Sequence, residues 1–128
     1  MSVKLLLYIA AGGALGAVSR YSVTVMVNHW LNSDFPYGTL IVNIIGSFLL
    51  GCLLSIVALK WSPSPEIRSF LQVGLLGAFT TFSTFSMDAY SQISRGDFLE
   101  ASIYISVSVV IGVIALIIGV ALVRQIFA

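Results

Sequence analysis

The sequence predicts an all-α membrane protein of four transmembrane helices, with the third helix broken near the bilayer midplane. Three observations carry this reading. Of the 128 residues, 59% are hydrophobic and only 9% are charged, where soluble domains carry about a quarter charged residues. The mean hydropathy is +1.06, and the length allows about four spans at ~20 residues each. In the middle of the third apolar stretch, residues 74–86 read Gly-Leu-Leu-Gly-Ala-Phe-Thr-Thr-Phe-Ser-Thr-Phe-Ser. That run is a poor lipid-facing helix, because glycine is a weak helix former and Ser and Thr compete for backbone hydrogen bonds.

The first span runs from about Leu5 to Val27. It is too long for the apolar region of a signal peptide and lacks a cleavage site. Gly12, Gly16 and Arg20 recur at four-residue spacing within it. The two glycines make a close-packing face. Arg20 is either an end residue that snorkels to the interface or an electropositive element at a pore mouth. Residues 28–37 form a loop, with Asn-Ser-Asp-Phe-Pro as its turn chemistry.

The second span covers Gly38 to Leu59, and Thr39, Asn43 and Ser47 share one of its faces. Asn43 is the costly member, since its amide must find partners inside the membrane. The stripe serves either a polar pathway or interhelical packing. Trp61-Ser-Pro-Ser-Pro is the next loop, and Pro65 with Glu66 suits a helix start.

The third span runs from about Ile67 to Ile93. The apolar stretches flanking its hydroxyl/phenylalanine run are each too short to cross alone. Either the helix is interrupted there, exposing backbone groups that can coordinate ions, or it is continuous with hydroxyls bonded back to their own carbonyls. Arg95-Gly-Asp97 makes a short turn, and the fourth span runs from Phe98 to about Ile126. Tyr104, Ser108 and Gly112 share a face of that span. Trp30, Tyr37 and Trp61 fall at span ends, where interfacial aromatics belong. The whole chain, 1–128, reads as a single four-span membrane domain.

Several function classes are disfavoured. The net charge of +1 and the absence of a basic run give no support for a nucleic-acid partner. The single cysteine, Cys52, and the single histidine, His29, lie far apart, so neither a disulfide framework nor a Cys/His metal site is expected. His29 stands alone near a loop without a base or nucleophile pair, so an enzyme is not expected. Asp88 is the only acid well inside a span. A cation or proton path usually needs a buried acid. What remains are amide and hydroxyl donors and phenyl rings, whose edges carry partial positive charge. Phe82 and Phe85, at i and i+3, can both turn edges toward one pathway. That chemistry suits a small anion, although phenylalanines at this spacing are also common core filler.

Together these residues resemble a known family. Gly77-Ala-Phe-Thr-Thr-Phe-Ser-Thr-Phe-Ser86 is similar to the signature of the fluoride channels of the Fluc (CrcB) family. The resemblance extends in order to Gly16-Ala-Val-Ser-Arg20, Gly38-Thr-Leu-Ile-Val-Asn43, Arg95-Gly96 and Tyr104, over essentially the whole chain. It implies an antiparallel dimer with two fluoride pores and a structural sodium ion on the symmetry axis. It implies that Phe82 and Phe85 form a phenyl box, with Asn43, Tyr104, Ser83, Thr84 and Ser108 along the pore. It assigns Arg20 to an aqueous vestibule, and the sodium to the backbone carbonyls of Gly77 and Thr80 from both subunits. The chain departs from the pattern at Ala78, where a second glycine is common, at Asp88, where Glu is frequent, and at Gly112, where some members carry serine.

The resemblance further implies passive fluoride efflux and fluoride resistance, in the inner membrane of a prokaryote. Lys4, Lys60, Arg68 and Arg124 fall on the side of the termini, against Arg20 and Arg95 on the other, which favours termini inside. Partners are expected to be fluoride, the bilayer, and either a second copy of the chain or a homologous chain inserted the other way. The alternative function is a small four-span multidrug exporter. Such exporters need a buried glutamate in the first helix, and this first span has none. A non-transporting scaffold subunit would explain the small-residue faces but not the hydroxyl/phenylalanine run.

Overall fold

The computed structural model describes residues 1–127, and these form helices joined by short loops. We label them α1 (Val3–Leu31), α2 (Tyr37–Leu59), α3 (residues 65–79), α4 (Phe82–Ser94) and α5 (Phe98–Phe127). Helix α3 is composite, with a first turn at Pro65–Ser69, a π-helical stretch at Phe70–Leu76 and a last turn at Gly77–Phe79. Helices α3 and α4 together make one interrupted span, so four spans are long and apolar enough to cross a membrane. The protein is therefore a multi-pass membrane protein, and most of its large apolar side chains face outward, Leu7, Val18 and Val109 among them.

Local sequence chemistry sets the helix ends. Ser2 caps α1, its hydroxyl oxygen accepting from the Leu5 N–H at 3.1 Å. The helix closes at Asn32, which adopts the left-handed conformation at φ 43°. Asn tolerates that region better than most residues. The Asn28 side chain then accepts from the Gly38 N–H at 3.2 Å, tying the end of α1 to the start of α2. Ser64 caps α3, with Pro65 in its first turn. Gly96, at φ +82°, turns the chain from α4 into α5, and Arg95 pairs with Asp97 beside it at 3.1 Å.

The packing runs in two pairs, α1 along α3 and α2 along α5. Glycines permit both approaches. A Cβ on Gly12 or Gly16 would run into the carbonyl oxygens of Phe70 or Leu75, so α1 lies directly on the π-helical backbone. Gly51 and Gly119 play the same part where α2 crosses α5. The Ser55 hydroxyl donates across that crossing to the Val120 carbonyl at 3.2 Å. Close backbone approach through small residues is the expected packing mode in a membrane.

The π-helical stretch is a finding that the sequence reading did not anticipate. The first helix also extends beyond the predicted span, to Val3 and Leu31, because Ser2 and Asn32 supply caps outside the apolar stretch, whereas the second exceeds its predicted span only by Tyr37.

Candidate functional site

The third span is interrupted at Thr80 and Thr81, both in extended conformation (φ/ψ −92°/158° and −151°/123°). β-Branched residues accept that conformation readily. A broken helix leaves unpaired carbonyls on one side and unpaired N–H groups on the other, and inside a membrane these need partners. Four side chains meet that demand. The Asn43 amide pairs with Thr81 on both sides, Nδ2 donating to the Thr81 carbonyl at 3.0 Å and Oδ1 accepting its N–H at 2.8 Å. Arg20 Nε donates to the Ala78 carbonyl at 2.9 Å. Thr81 Oγ1 caps α4 by accepting the Thr84 N–H at 3.1 Å. Thr80 Oγ1 donates to the Leu76 carbonyl at 3.1 Å.

The diverted N–H groups matter for the carbonyls they leave. In an unbroken helix the Thr81 N–H would close onto Gly77 and the Thr84 N–H onto Thr80. Here Asn43 takes the first and Thr81 Oγ1 the second. Gly46 makes room for this geometry, since a Cβ there would overlap the Thr80 methyl group.

A cavity of about 370 Å³ opens beside the break. Asn43, Gly46 and Ser47 of α2 line one wall, and Gln72 and Gly77 of α3 another. Thr80, Thr81, Phe82, Phe85, Ser108 and Gly112 contribute further, and Leu50, Leu76, Val109 and Val113 supply an aliphatic lining. The Ser108 hydroxyl is buried without a hydrogen-bond partner among the described residues. The second N–H of the Asn43 amide, beyond the one given to Thr81, remains an available donor, since a side-chain amide carries two. No group of three or more His, Cys, Asp or Glu side chains that could hold a metal ion occurs among the described residues.

The phenyl rings form a chain leading away from the cavity. Phe82 and Phe85 lie 5.5 Å apart at an interplanar angle of 56°, and Phe85 meets Tyr104 at 5.2 Å. Phe35 of the first loop stands edge-on to Tyr104 at 5.6 Å. Phe85 is buried, whereas Phe82 is 77% exposed on the single chain. The fully buried Tyr104 donates its hydroxyl to Asp88 Oδ2 at 3.0 Å.

The structure thus brings some of the expected residues together and separates others. Asn43, Phe82, Phe85, Ser108, Gly77 and Thr80 meet at the cavity. Tyr104 lies one ring behind Phe85, with its hydroxyl engaged by Asp88. Ser83 is on the outer surface and Thr84 serves through its backbone N–H, so neither lines the cavity of a single chain. Arg20 Nε is bound to the Ala78 carbonyl, a partner that neither alternative read in the sequence included. Two glutamines escaped the sequence reading. Gln72 lines the cavity, and Gln92 is 1% exposed with both amide atoms unpartnered among the described residues. Their signal was available, since an amide inside a hydrocarbon span is costly enough to need a reason.

Comparison with known proteins bears on this geometry directly. Residues 7–120 match the family described as CrcB-like protein, Camphor Resistance (CrcB). The chain is 46% identical over 122 residues to a protein of Rhodospirillum centenum named fluoride-specific ion channel FluC, covering 95% of this chain and 97% of that one. It is 48% identical over 126 residues to a protein of that name from Hahella chejuensis, covering 98% and 99%. A third protein of that name, from Nitrobacter winogradskyi, is 46% identical over 126 residues, covering 98% and 100%. The chain belongs to the CrcB family.

Proposed function

We propose that the protein is a passive, fluoride-selective channel of a bacterial inner membrane, and that it is not an enzyme. The observation that carries this is the capped break with its donor-lined, carboxylate-free cavity. Fluoride is small and strongly hydrated, so a pore must replace its water with closely placed donors and still let the ion leave. Ser47, Ser108, the free Asn43 N–H and the ring edges of Phe82 and Phe85 are neutral donors of that kind. None is charged enough to trap the ion. The N-terminus of α4 adds the positive end of its dipole beside the break.

The functional unit is an antiparallel dimer with two pores. Gly77, Phe82, Ser83 and Ser86 are all exposed on the single chain around the break. A polar, irregular segment of this kind is excluded from lipid contact. A second copy of the chain, inserted the opposite way, would cover it; a homologous chain of opposite orientation would do so equally. Phe82 then faces the partner and completes the pore wall.

The carbonyls of Gly77 and Thr80 suit a structural sodium ion. Their helical donors are diverted to Asn43 and Thr81, and carbonyls at a half-helix C-terminus are suited to coordinating a hard monovalent cation. Such an ion would supply fixed positive charge near the anion path and would bind the two subunits through neutral oxygens. Arg20 holds the adjacent Ala78 carbonyl and so orients this end of α3.

In a cell with a negative interior, the membrane potential would drive fluoride outward through such a pore. Expression in a fluoride-sensitive bacterial strain lacking its own exporter should restore growth in fluoride. Absence of rescue by protein correctly inserted in the membrane would count against the efflux role.

A further inference from the structure

Two cavities share one residue. The cavity at the break and a second of about 390 Å³, displaced toward the chain termini, both include Gln72 in their walls. The second cavity is otherwise bounded by the aliphatic side chains of Leu53, Leu54, Val57 and Ala58 on α2 and by Arg68 on α3. Its single charged residue is positive. Arg68 and Gln72 stand four residues apart, Arg68 in the first turn of α3 and Gln72 in the π-helical stretch. Local π-helical backbone recurs at functional sites, and α1 fixes this one through Gly12 and Gly16. Gln72 is therefore an amide held on a rigid element between a cationic chamber and a hydroxyl-lined one.

The charge distribution agrees with this direction. The terminal end of the protein carries Lys4, Lys60, Arg68 and Arg124 against Glu66, whereas the opposite half carries Asp34, Asp88, Asp97 and Glu100 against Arg20 and Arg95. A cleft of one sign between low-dielectric walls concentrates counter-ions. At the other end, Arg95 lines the cavity but is paired with Asp97, and Asp34, Asp97 and Glu100 outnumber it there, which disfavours anion capture.

We propose that Arg68 and Gln72 form an anion station ahead of the pore, binding a small hydrated anion at the terminal-side mouth. Arg68 raises the local concentration of fluoride. The Gln72 amide replaces the first hydration water as the ion passes into the cavity of Ser47 and Ser108. This inference rests on the fluoride-channel reading and extends it to residues outside the phenyl box.

The test is fluoride efflux from liposomes containing the full chain, across a range of fluoride concentrations and ionic strengths. Gln72→Leu is expected to lower flux about tenfold, equivalent to about 1.4 kcal/mol on the barrier, with Gln72→Asn recovering part of it. Arg68→Gln is expected to lower flux about threefold or more at low ionic strength, with recovery at high fluoride, while Arg68→Lys stays near the parent. Parent-like flux in Gln72→Leu and Arg68→Gln at every condition would overturn the station while leaving the channel reading intact. Loss of flux in Gln72→Leu with earlier thermal unfolding and no recovery in Gln72→Asn would assign Gln72 to packing and also overturn it. Absence of flux from the parent chain would instead remove the function on which the station depends.

Discussion

Asn43→Leu separates two roles for the amide at the break. The substitution keeps the approximate volume of the side chain and removes both hydrogen bonds to Thr81, at 2.8 and 3.0 Å. It leaves one backbone N–H and one carbonyl without partners in a half-buried site. Unsatisfied buried groups cost about 1–3 kcal/mol each. Membrane hydrogen bonds measured by double-mutant cycles sit lower, up to about 1.7 kcal/mol, and water in the adjacent cavity can re-solvate part of the loss. The expected destabilisation is therefore about 2–4 kcal/mol. A reversible unfolding titration in mixed micelles would measure it, alongside fluoride flux on the same preparation. The capping account predicts that both stability and flux fall. If Asn43 acts only as a donor to the passing ion, flux falls while the unfolding midpoint stays where it was. That second result would refute the claim that Asn43 holds the break together.

Other substitutions probe the remaining parts. Gly46→Ala should destabilise by about 1–3 kcal/mol through overpacking, and adding Thr80→Ser, which deletes the methyl group it would strike, should restore most of the loss in the same titration. Gln92→Leu should raise stability by about 1–2 kcal/mol, because it removes a buried amide with no partner among the described residues; a fall in the melting temperature would mean that the amide is satisfied in the assembled protein. Phe82→Ile should stop fluoride conduction with little change in the stability of the chain, since the ring is 77% exposed there, whereas Phe85→Ile should lower both, because Phe85 packs against Tyr104.

The four spans and the break were legible in the sequence for a simple physical reason. Apolar runs of spanning length can only be membrane helices, and Thr80, Thr81 and the glycines before them cannot face lipid in a regular helix. The partners of the break were not legible. Asn43 and Thr81 are 38 residues apart, and local pattern marks Asn43 as needing partners without saying which. The same holds for Arg20, whose place in the first span suggested either the interface or a pore mouth, while tertiary packing brings the Ala78 carbonyl to it. The π-helical stretch reads as an ordinary apolar helix, Phe-Leu-Gln-Val-Gly-Leu-Leu, because its geometry is associated with close packing on Gly12 and Gly16 of another helix. Ser83 and Ser86 share the hydroxyl pattern of Thr80 and Thr81, yet they lie on the exposed face. Spacing alone could not sort residues that stabilise the break from those left on the surface.

The most direct test of the account is anion efflux from liposomes containing only this purified chain, followed with fluoride- and chloride-selective electrodes. The account predicts rapid fluoride release without chloride release, abolished in Phe82→Ile. Intact, well-folded protein that releases no fluoride, alone or with a homologous chain of opposite orientation, would contradict it.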